Sequence, residues 1–460
     1  MMELKGKKVL VVGLGKSGLA AALFLRHQGA QVTVSDVRSA QALAKDIPAL
    51  LDEGIMVEAG GHGLLTFRRQ DLIVVSPGVP MDTPELVQAR GFGLPVIGEL
   101  ELAARFLQGK MLAITGSNGK TTTTALLGEI LKDAGFPTLV GGNIGVPVVG
   151  LIGESTPDTW SVLEVSSFQL ESTVEFHPAI AVILNITPDH LDRHGSFENY
   201  ARAKERIFAV QNQHDSLVLN ADNDRSAEAA SRSAAPVYLF SVEHSVEQGA
   251  WLEEGFVVYR PSKDAPIEQV MPLGGIPLKG THNVENVLAA VVAARLAGAT
   301  VETIRKAIEG FRAVEHRLEY VATVNGVEFY NDSKATNVDA TAKAVASFSG
   351  GIHLILGGKD KGSDYTLLSQ LLRERVSAIY TIGAAAAKIE SHLRGVVSIH
   401  SCETLEKAVS AAASAARPGE VVLLAPACSS FDQFESYEHR GRVFKQLVSE
   451  RRGFKEWQHA

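Results

Sequence analysis

MLAITGSNGKTTTTALLGEILKDAG, residues 111–135, decides the fold. MLAIT is a short apolar run of strand length. Leu126, Leu127, Ile130, Leu131 and Ala134 then recur at helical spacing, and Gly135 supplies a stop. Between strand and helix lies TGSNGKTTT (115–123), a turn rich in glycine and hydroxyl groups. Gly116 and Gly119 let main-chain N–H groups face phosphate oxygens, Lys120 brings a point charge, and Thr121 offers a hydroxyl to Mg²⁺. The loop departs from G-x-x-x-x-G-K-[ST], because Ile114 stands where the first glycine would fall. Strand before and amphipathic helix after supply the required context. A triphosphate site is therefore expected, with Ser117, Asn118 and Thr122 completing it.

The same alternation extends outward in both directions. Upstream, KVLVV (8–12), GLGKSG (13–18) and QVTVS (31–35) form another strand, glycine turn, helix and strand, with Asp36 at the end of the second strand. This fits G-x-G-x-x-G, a turn that brings a helix N-terminus to a diphosphate. Alone it suits a nicotinamide-dependent dehydrogenase or a UDP-linked ligand equally well. Downstream, WSVLEVS (160–166) and AIAVILNIT (179–187) read as central strands, and 249–278 as a small antiparallel patch. Asn325–Gly326 marks a type I′ hairpin, and strands at 352–356, 376–382, 396–400 and 420–425 alternate with helices. The expected architecture is α/β in three domains: a Rossmann-like domain over 1–109, a P-loop ATPase-like domain over 110–311, and a second Rossmann-like domain over 312–460.

At 460 residues the chain is too long for one ordinary core. A net charge of −8, without basic runs interleaved with aromatics, argues against a nucleic-acid partner. Cys402 and Cys428 cannot make a disulfide framework, which suits a reducing cytosol. The N-terminal pattern is not that of a signal peptide, and no apolar run reaches the ~18 residues of a membrane span. A cytoplasmic protein with small-molecule partners, no membrane insertion and a monomeric state is expected.

Several strand ends carry further candidates. Glu164 closes VLE, where open sheets bind ligands; a lone Glu there is by default a solvated turn residue, but its place beside the phosphate loop gives a metal-ligand reading equal weight. In NITPDHLDRHG (185–195), His190 and His194 stand four apart, but Leu191 occupies the place H-E-x-x-H gives to glutamate, so a zinc helix is rejected. Lys204, between Arg202 and Arg206, reads by default as part of a solvated face. NDSKATN (331–337), LGGKDKG (356–362) and APACSSFDQF (425–434) each follow an apolar strand and should share one sheet edge. Cys428 has no recognisable His/Asn partners and reads as a small packed thiol.

Taken together, in chain order, GLGKSG, TGSNGKTT, GGNIG (141–145), LEVSSFQLE (163–171), TPDHLDR, the Lys204 region, HNVEN (282–286), His316–Arg317, NDSKATN and PACSSFDQF resemble the Mur ligases of peptidoglycan synthesis. SSFQL and NDSKATN are similar to the type that adds D-glutamate. Folylpolyglutamate synthetases share the ATP core but lack the first fingerprint. The resemblance implies an ATP- and Mg²⁺-dependent ligase joining UDP-N-acetylmuramoyl-L-alanine to D-glutamate through an acyl phosphate. It implies Lys120, His190 and Lys204 as catalytic residues, with Lys204 carbamylated. Metal ligands would be Thr121, Glu164, His190 and Lys204. ATP would also meet Asn286, Arg317 and Asp332. D-Glutamate would meet Lys334, Thr336, Ser430 and Phe431, with Lys361 and Tyr437 near. Asn143 would contact the muramoyl group, and Ser17, Asp36 and Arg38 the uridine diphosphate, with Val37 departing from the polar residue expected. Against this stand a nicotinamide-dependent oxidoreductase with an added nucleotide domain, and a P-loop regulatory module without turnover.

Overall fold

The computed structural model describes residues 2–312 and 315–456. The chain forms two compact units. One comprises Met1–Ile186, Glu198–Gly275 and Glu285–Glu309; the other comprises Thr187–Phe197, Ile276–Val284 and Gly310–Ala460.

Two sheets belong to the first unit. The N-terminal one holds β1 (Lys8–Val12), β2 (Gln31–Asp36), β3 (Met56–Ala59), β4 (Leu72–Val75) and β5 (Val96–Gly98), in the order β3-β2-β1-β4-β5. All its pairings are parallel. Its central strands are buried and continuously apolar, because helices cover both faces of such a sheet. The turn after β1 is as tight as its glycines allow: a Cβ on Gly18 would stand 1.9 Å from the Gly13 carbonyl oxygen.

The second sheet has nine strands: β6 (Lys110–Thr115), β7 (Thr138–Gly142), β8 (Trp160–Glu164), β9 (Ile180–Ile183), β10 (Ser216–Asn220), β11 (Val237–Ser241), β12 (Gly249–Glu253), β13 (Phe256–Arg260) and β14 (Glu268–Pro272). Their order is β14-β13-β12-β11-β10-β9-β6-β8-β7. The chain runs from β6 out to the edge at β7, returns to β8, then crosses to β9 on the other side. The switch point therefore lies at the end of β6, where the glycine loop sits. The antiparallel strands expected over 249–278 are present but do not form a separate patch. Strand β12 pairs parallel to β11, so they extend the central sheet. A partner edge was available, and leaving it bare would expose unpaired main-chain groups.

A short helix, Glu99–Ala104, joins the two sheets through its acidic side chains. Glu99 and Glu101 are both buried. Glu99 Oε1 accepts the Val149 N–H at 2.7 Å, while Glu101 accepts the N–H groups of Val174 and Glu175 at 2.8 and 3.0 Å and pairs with Arg105 at 2.8 Å.

The second unit holds β15 (Glu319–Val324), β16 (Val327–Asn331), β17 (Ile352–Gly357), β18 (Val376–Ile382), β19 (Ser398–Glu403) and β20 (Val421–Leu424), in the order β15-β16-β20-β17-β18-β19. Only β15 is antiparallel. It turns into β16 through Asn325 and Gly326, whose φ values of 55° and 79° are those of the expected type I′ turn. Strands β16, β20 and β17 lie side by side, so the segments after them emerge at one edge, as the sequence requires. Among the described residues, no helix is long and apolar enough to cross a membrane.

Burial pushes the Glu99 carboxyl up to about 7, against the opposing pull of the Val149 and Val148 N–H groups. The folded state therefore keeps a proton that the unfolded chain releases above the ordinary carboxylate range, and stability is lost as pH rises through that window. Glu99→Gln retains an oxygen for Val149 and cannot ionise. It should match the parent near pH 5 and gain on the order of 3 kcal/mol at pH 8. Calorimetric melts at the two pH values check this; equal shifts at both would contradict it.

Candidate active site

At the end of β6 the chain turns through Gly116–Gly119 into the helix Lys120–Asp133. Gly119 has φ +87°, and a Cβ there would lie 2.1 Å from Asn286 Oδ1. Only glycine fits, and Asn286 is packed directly onto the loop. Lys120 folds back over the turn, its Nζ donating to the carbonyls of Gly116 at 2.6 Å and Ser117 at 2.9 Å. Thr121 and Thr122 are buried at the first turn of the helix. Ser117 Oγ lies 2.9 Å from the Tyr200 hydroxyl.

Glu164 and Lys204 converge on the same region, and neither is solvated. Glu164, on the strand next to β6, is 1% exposed and accepts the Asn143 side-chain N–H at 2.9 Å. Lys204 is also 1% exposed. It lies on the helix Phe197–Glu205, donates to the Gly116 carbonyl at 2.8 Å, and sits 4.6 Å from the centre of the Tyr200 ring. Thr121 and Glu164 are both buried, and their oxygens are of the hard type that Mg²⁺ takes. In the first sheet, Asp36 accepts the Leu14 N–H at 2.7 Å and pairs with Arg38 at 2.8 Å. Burial alone would raise its carboxyl, but Arg38 and the N–H groups outweigh it and hold the group at about 2. Ser17 lies close by in sequence, at the start of the helix Lys16–His27.

The remaining candidates belong to the second unit. Asp332 is fully enclosed after β16, and burial pushes its carboxyl up to about 6 despite the charges of Arg317 and Lys334. Lys334 lies 5.2 Å from the centre of the Tyr437 ring. His190 adopts φ 52°. The neighbouring Asp189 accepts the Asn337 side-chain N–H at 2.9 Å and meets Lys361 at 3.7 Å. His190 is thus grouped with Lys361 and the NDSKATN segment. Ser430 is buried, Thr336 half-buried and Phe431 exposed.

Known domain sequences match the chain in three stretches. A Mur ligase MurD-like N-terminal domain matches 7–98, a Mur ligase middle domain 114–294, and a Mur ligase glutamate ligase domain 316–428. The chain belongs to the Mur ligase family. The UDP-N-acetylmuramoylalanine–D-glutamate ligase of Acidobacterium capsulatum is 68% identical over 459 residues, covering 100% of both chains. The enzyme of the same name from Koribacter versatilis is 61% identical over 447 residues, 97% of this chain and 98% of that one. Among solved structures, the UDP-N-acetylmuramate–alanine ligase of Thermotoga maritima superposes with a TM-score of 0.60, covering 96% of this chain and 99% of that one. At 20% identity that likeness speaks for the fold alone.

This Mur ligase also uses residues that sequence reasoning missed. Arg440, on the helix Tyr437–Glu456, is completely buried. It donates to Ser333 Oγ and to the carbonyls of Ser333 and Cys428 at 3.0, 2.8 and 3.1 Å, tying NDSKATN to PACSSFDQF. Burial lowers its guanidinium to about 10, still cationic at neutral pH. The Cys428 thiol is pushed up to about 11 by burial and lies 3.0 Å from the Tyr365 hydroxyl, which leaves it inert. Arg440 carried no sequence signal, since a lone arginine on a polar helix reads as solvated.

Arg440→Met removes the donors and leaves buried carbonyls without them, at a cost of roughly 1–3 kcal/mol for each orphaned acceptor. The melting temperature should fall, and hydrogen exchange should accelerate in both 331–337 and 425–434. Unchanged exchange in either segment would show that Arg440 does not hold it.

Proposed function

We propose that this Mur ligase forms the amide bond between UDP-N-acetylmuramoyl-L-alanine and D-glutamate at the expense of ATP, in the cytoplasm. The carrying observation is the full-length 68% identity to the Acidobacterium capsulatum enzyme of that name. The Gly116–Thr122 turn, with a buried carboxylate and lysine beside it, supports it. A carboxylate oxygen of the alanyl group attacks the γ-phosphorus of ATP, and the bond to ADP breaks. The amine of D-glutamate then attacks the acyl-phosphate carbon, the tetrahedral adduct expels phosphate, and the amine proton is released.

Both partners of the first step are anionic, so its barrier is largely one of charge. Lys120 and the amides of the helix start would neutralise the phosphates. Mg²⁺, when bound, supplies further positive charge; Thr121 and Glu164 would hold one ion, His190 would be a ligand of a second, and a carbamylated Lys204 would serve as a carboxylate-like metal ligand. Gly116, Ser117, Asn118, Gly119 and Thr122 would shape the phosphate turn, with Asn286, Arg317 and Asp332 serving the rest of ATP. Lys334, Thr336, Ser430 and Phe431 would receive D-glutamate, with Lys361 and Tyr437 near. Asn143, which is bonded to Glu164, would contact the muramoyl end. Ser17, Asp36 and Arg38 would anchor the uridine diphosphate. The Arg38 side chain, paired with Asp36, remains 47% exposed and so open to a diphosphate.

Phosphate release should require ATP, Mg²⁺, the muramoyl substrate and D-glutamate together. No release with D-glutamate, or equal release with L-glutamate, would overturn the substrate reading. Lys120→Ala should lower kcat by roughly a thousandfold, the scale of one lost transition-state contact. A carbamate carbon-13 signal from labelled CO₂ should appear in the parent and vanish in Lys204→Ala; active enzyme without it would exclude carbamylation.

A further inference from the structure

Asn185, outside the phosphate turn, holds its first half in place. It lies two places beyond β9 and is 5% exposed. Its Oδ1 accepts the Asn118 N–H at 2.9 Å, and its Nδ2 donates to the Asn118 carbonyl at 3.2 Å. Its own carbonyl accepts the Ser117 N–H at 2.9 Å. A carboxamide offers a donor and an acceptor together, as a peptide unit does. The side chain therefore makes with residue 118 the two bonds that a strand residue makes with its hydrogen-bonded partner. The strand register of β6 with β9 runs to Thr115 and Ile183. Main-chain bonds continue it, from the Leu184 N–H to the Thr115 carbonyl at 3.0 Å and from the Ser117 N–H to the Asn185 carbonyl, and the Asn185 side chain extends it to residue 118.

Asn185 is braced in its turn. The Leu184 carbonyl accepts the Asn220 side-chain N–H at 3.0 Å, and the Ile186 N–H donates to Asn223 Oδ1 at 3.0 Å. Asn223 also caps the helix Asp224–Ala227. The N–H groups of Ser117 and Asn118 are thereby directed at Asn185, just beyond β9. The Thr123 N–H donates to the Gly119 carbonyl at 3.0 Å, so the helix takes over directly after residues 117 and 118, and anion binding would fall to the helix start.

We propose that Asn185 is the positioning residue of the phosphate turn: it fixes residues 117 and 118 so that the following amides converge on the nucleotide without rearrangement. This rests on reading the turn as the ATP site. A residue that preorganises a binding loop acts on nucleotide affinity, whereas one that merely fills the core acts on all substrates alike.

The test uses the full chain with Asn185→Leu, close in volume and unable to make either bond. ATP, the muramoyl substrate and D-glutamate are varied in turn, and Mg·ADP binding is followed by calorimetry. The KM for ATP and the Kd for ADP should rise at least tenfold, with the other two KM values within twofold of the parent. If the leucine variant loses its cooperative melt, Asn185→Asp, which keeps the acceptor for Asn118, is held to the same criteria. An ADP Kd within twofold of the parent in a folded variant, or an equal rise in all three KM values, would overturn the proposal. Loss of the folded state in both variants would overturn it too, by making Asn185 indispensable to the fold. Failure of the unmutated chain to bind ADP would instead overturn the ATP reading of the turn.

Discussion

The first unit is organised around the requirement that β6 pass into a helix through a turn lined with main-chain amides. Such a turn cannot bury a side chain at its tightest point, hence Gly119 against Asn286. It also sits inside the sheet rather than at its edge, so side chains from both neighbouring strand ends can reach it. With β8 on one side and β9 on the other, the turn receives Glu164 from the first and Asn185 from the second. Lys204 reaches it from the helix Phe197–Glu205. The position of each follows from strand order rather than from its neighbours in sequence.

That distinction explains how much was legible beforehand. Apolar runs, glycine stops and the Asn325–Gly326 turn report local preferences, so three α/β units could be read directly. So could the placing of three polar segments after β16, β17 and β20, which needs only parallel strands in one sheet. Lys204 and Glu164 were different. Residue by residue their default was solvent; the strand end beside the phosphate loop raised a metal-ligand reading for Glu164, whereas only the family resemblance singled out Lys204, and both are buried. Asn185, Arg440, Glu99 and Glu101 gave no signal, because each binds main-chain groups distant in sequence, and any polar residue of suitable reach could occupy such a place. The continuation of the central sheet through β12–β14 was hidden for a related reason, since hairpin strands look alike whether or not one pairs with a sheet.

Buried charge recurs with different purposes. Asp36 is held ionised by donors arranged around it, whereas Glu99 and Asp332 are driven toward their neutral forms by enclosure. Arg440 remains a cation because carbonyl oxygens replace the water it has lost. In each case the outcome depends on how many hydrogen-bond partners accompany the group inward.

Glu99 and Glu101 bear on where this chain can be divided. Gly109 looks like a boundary, and the family match to the first sheet ends at residue 98. Yet the helix at 99–104 is bonded to amides of residues 149, 174 and 175. A fragment ending at 109 would carry two acidic side chains shaped for absent partners, and a fragment beginning at 110 would bare the amides they cover. The five-stranded and nine-stranded sheets are best regarded as one foldable piece, to be expressed, exchanged or recombined together.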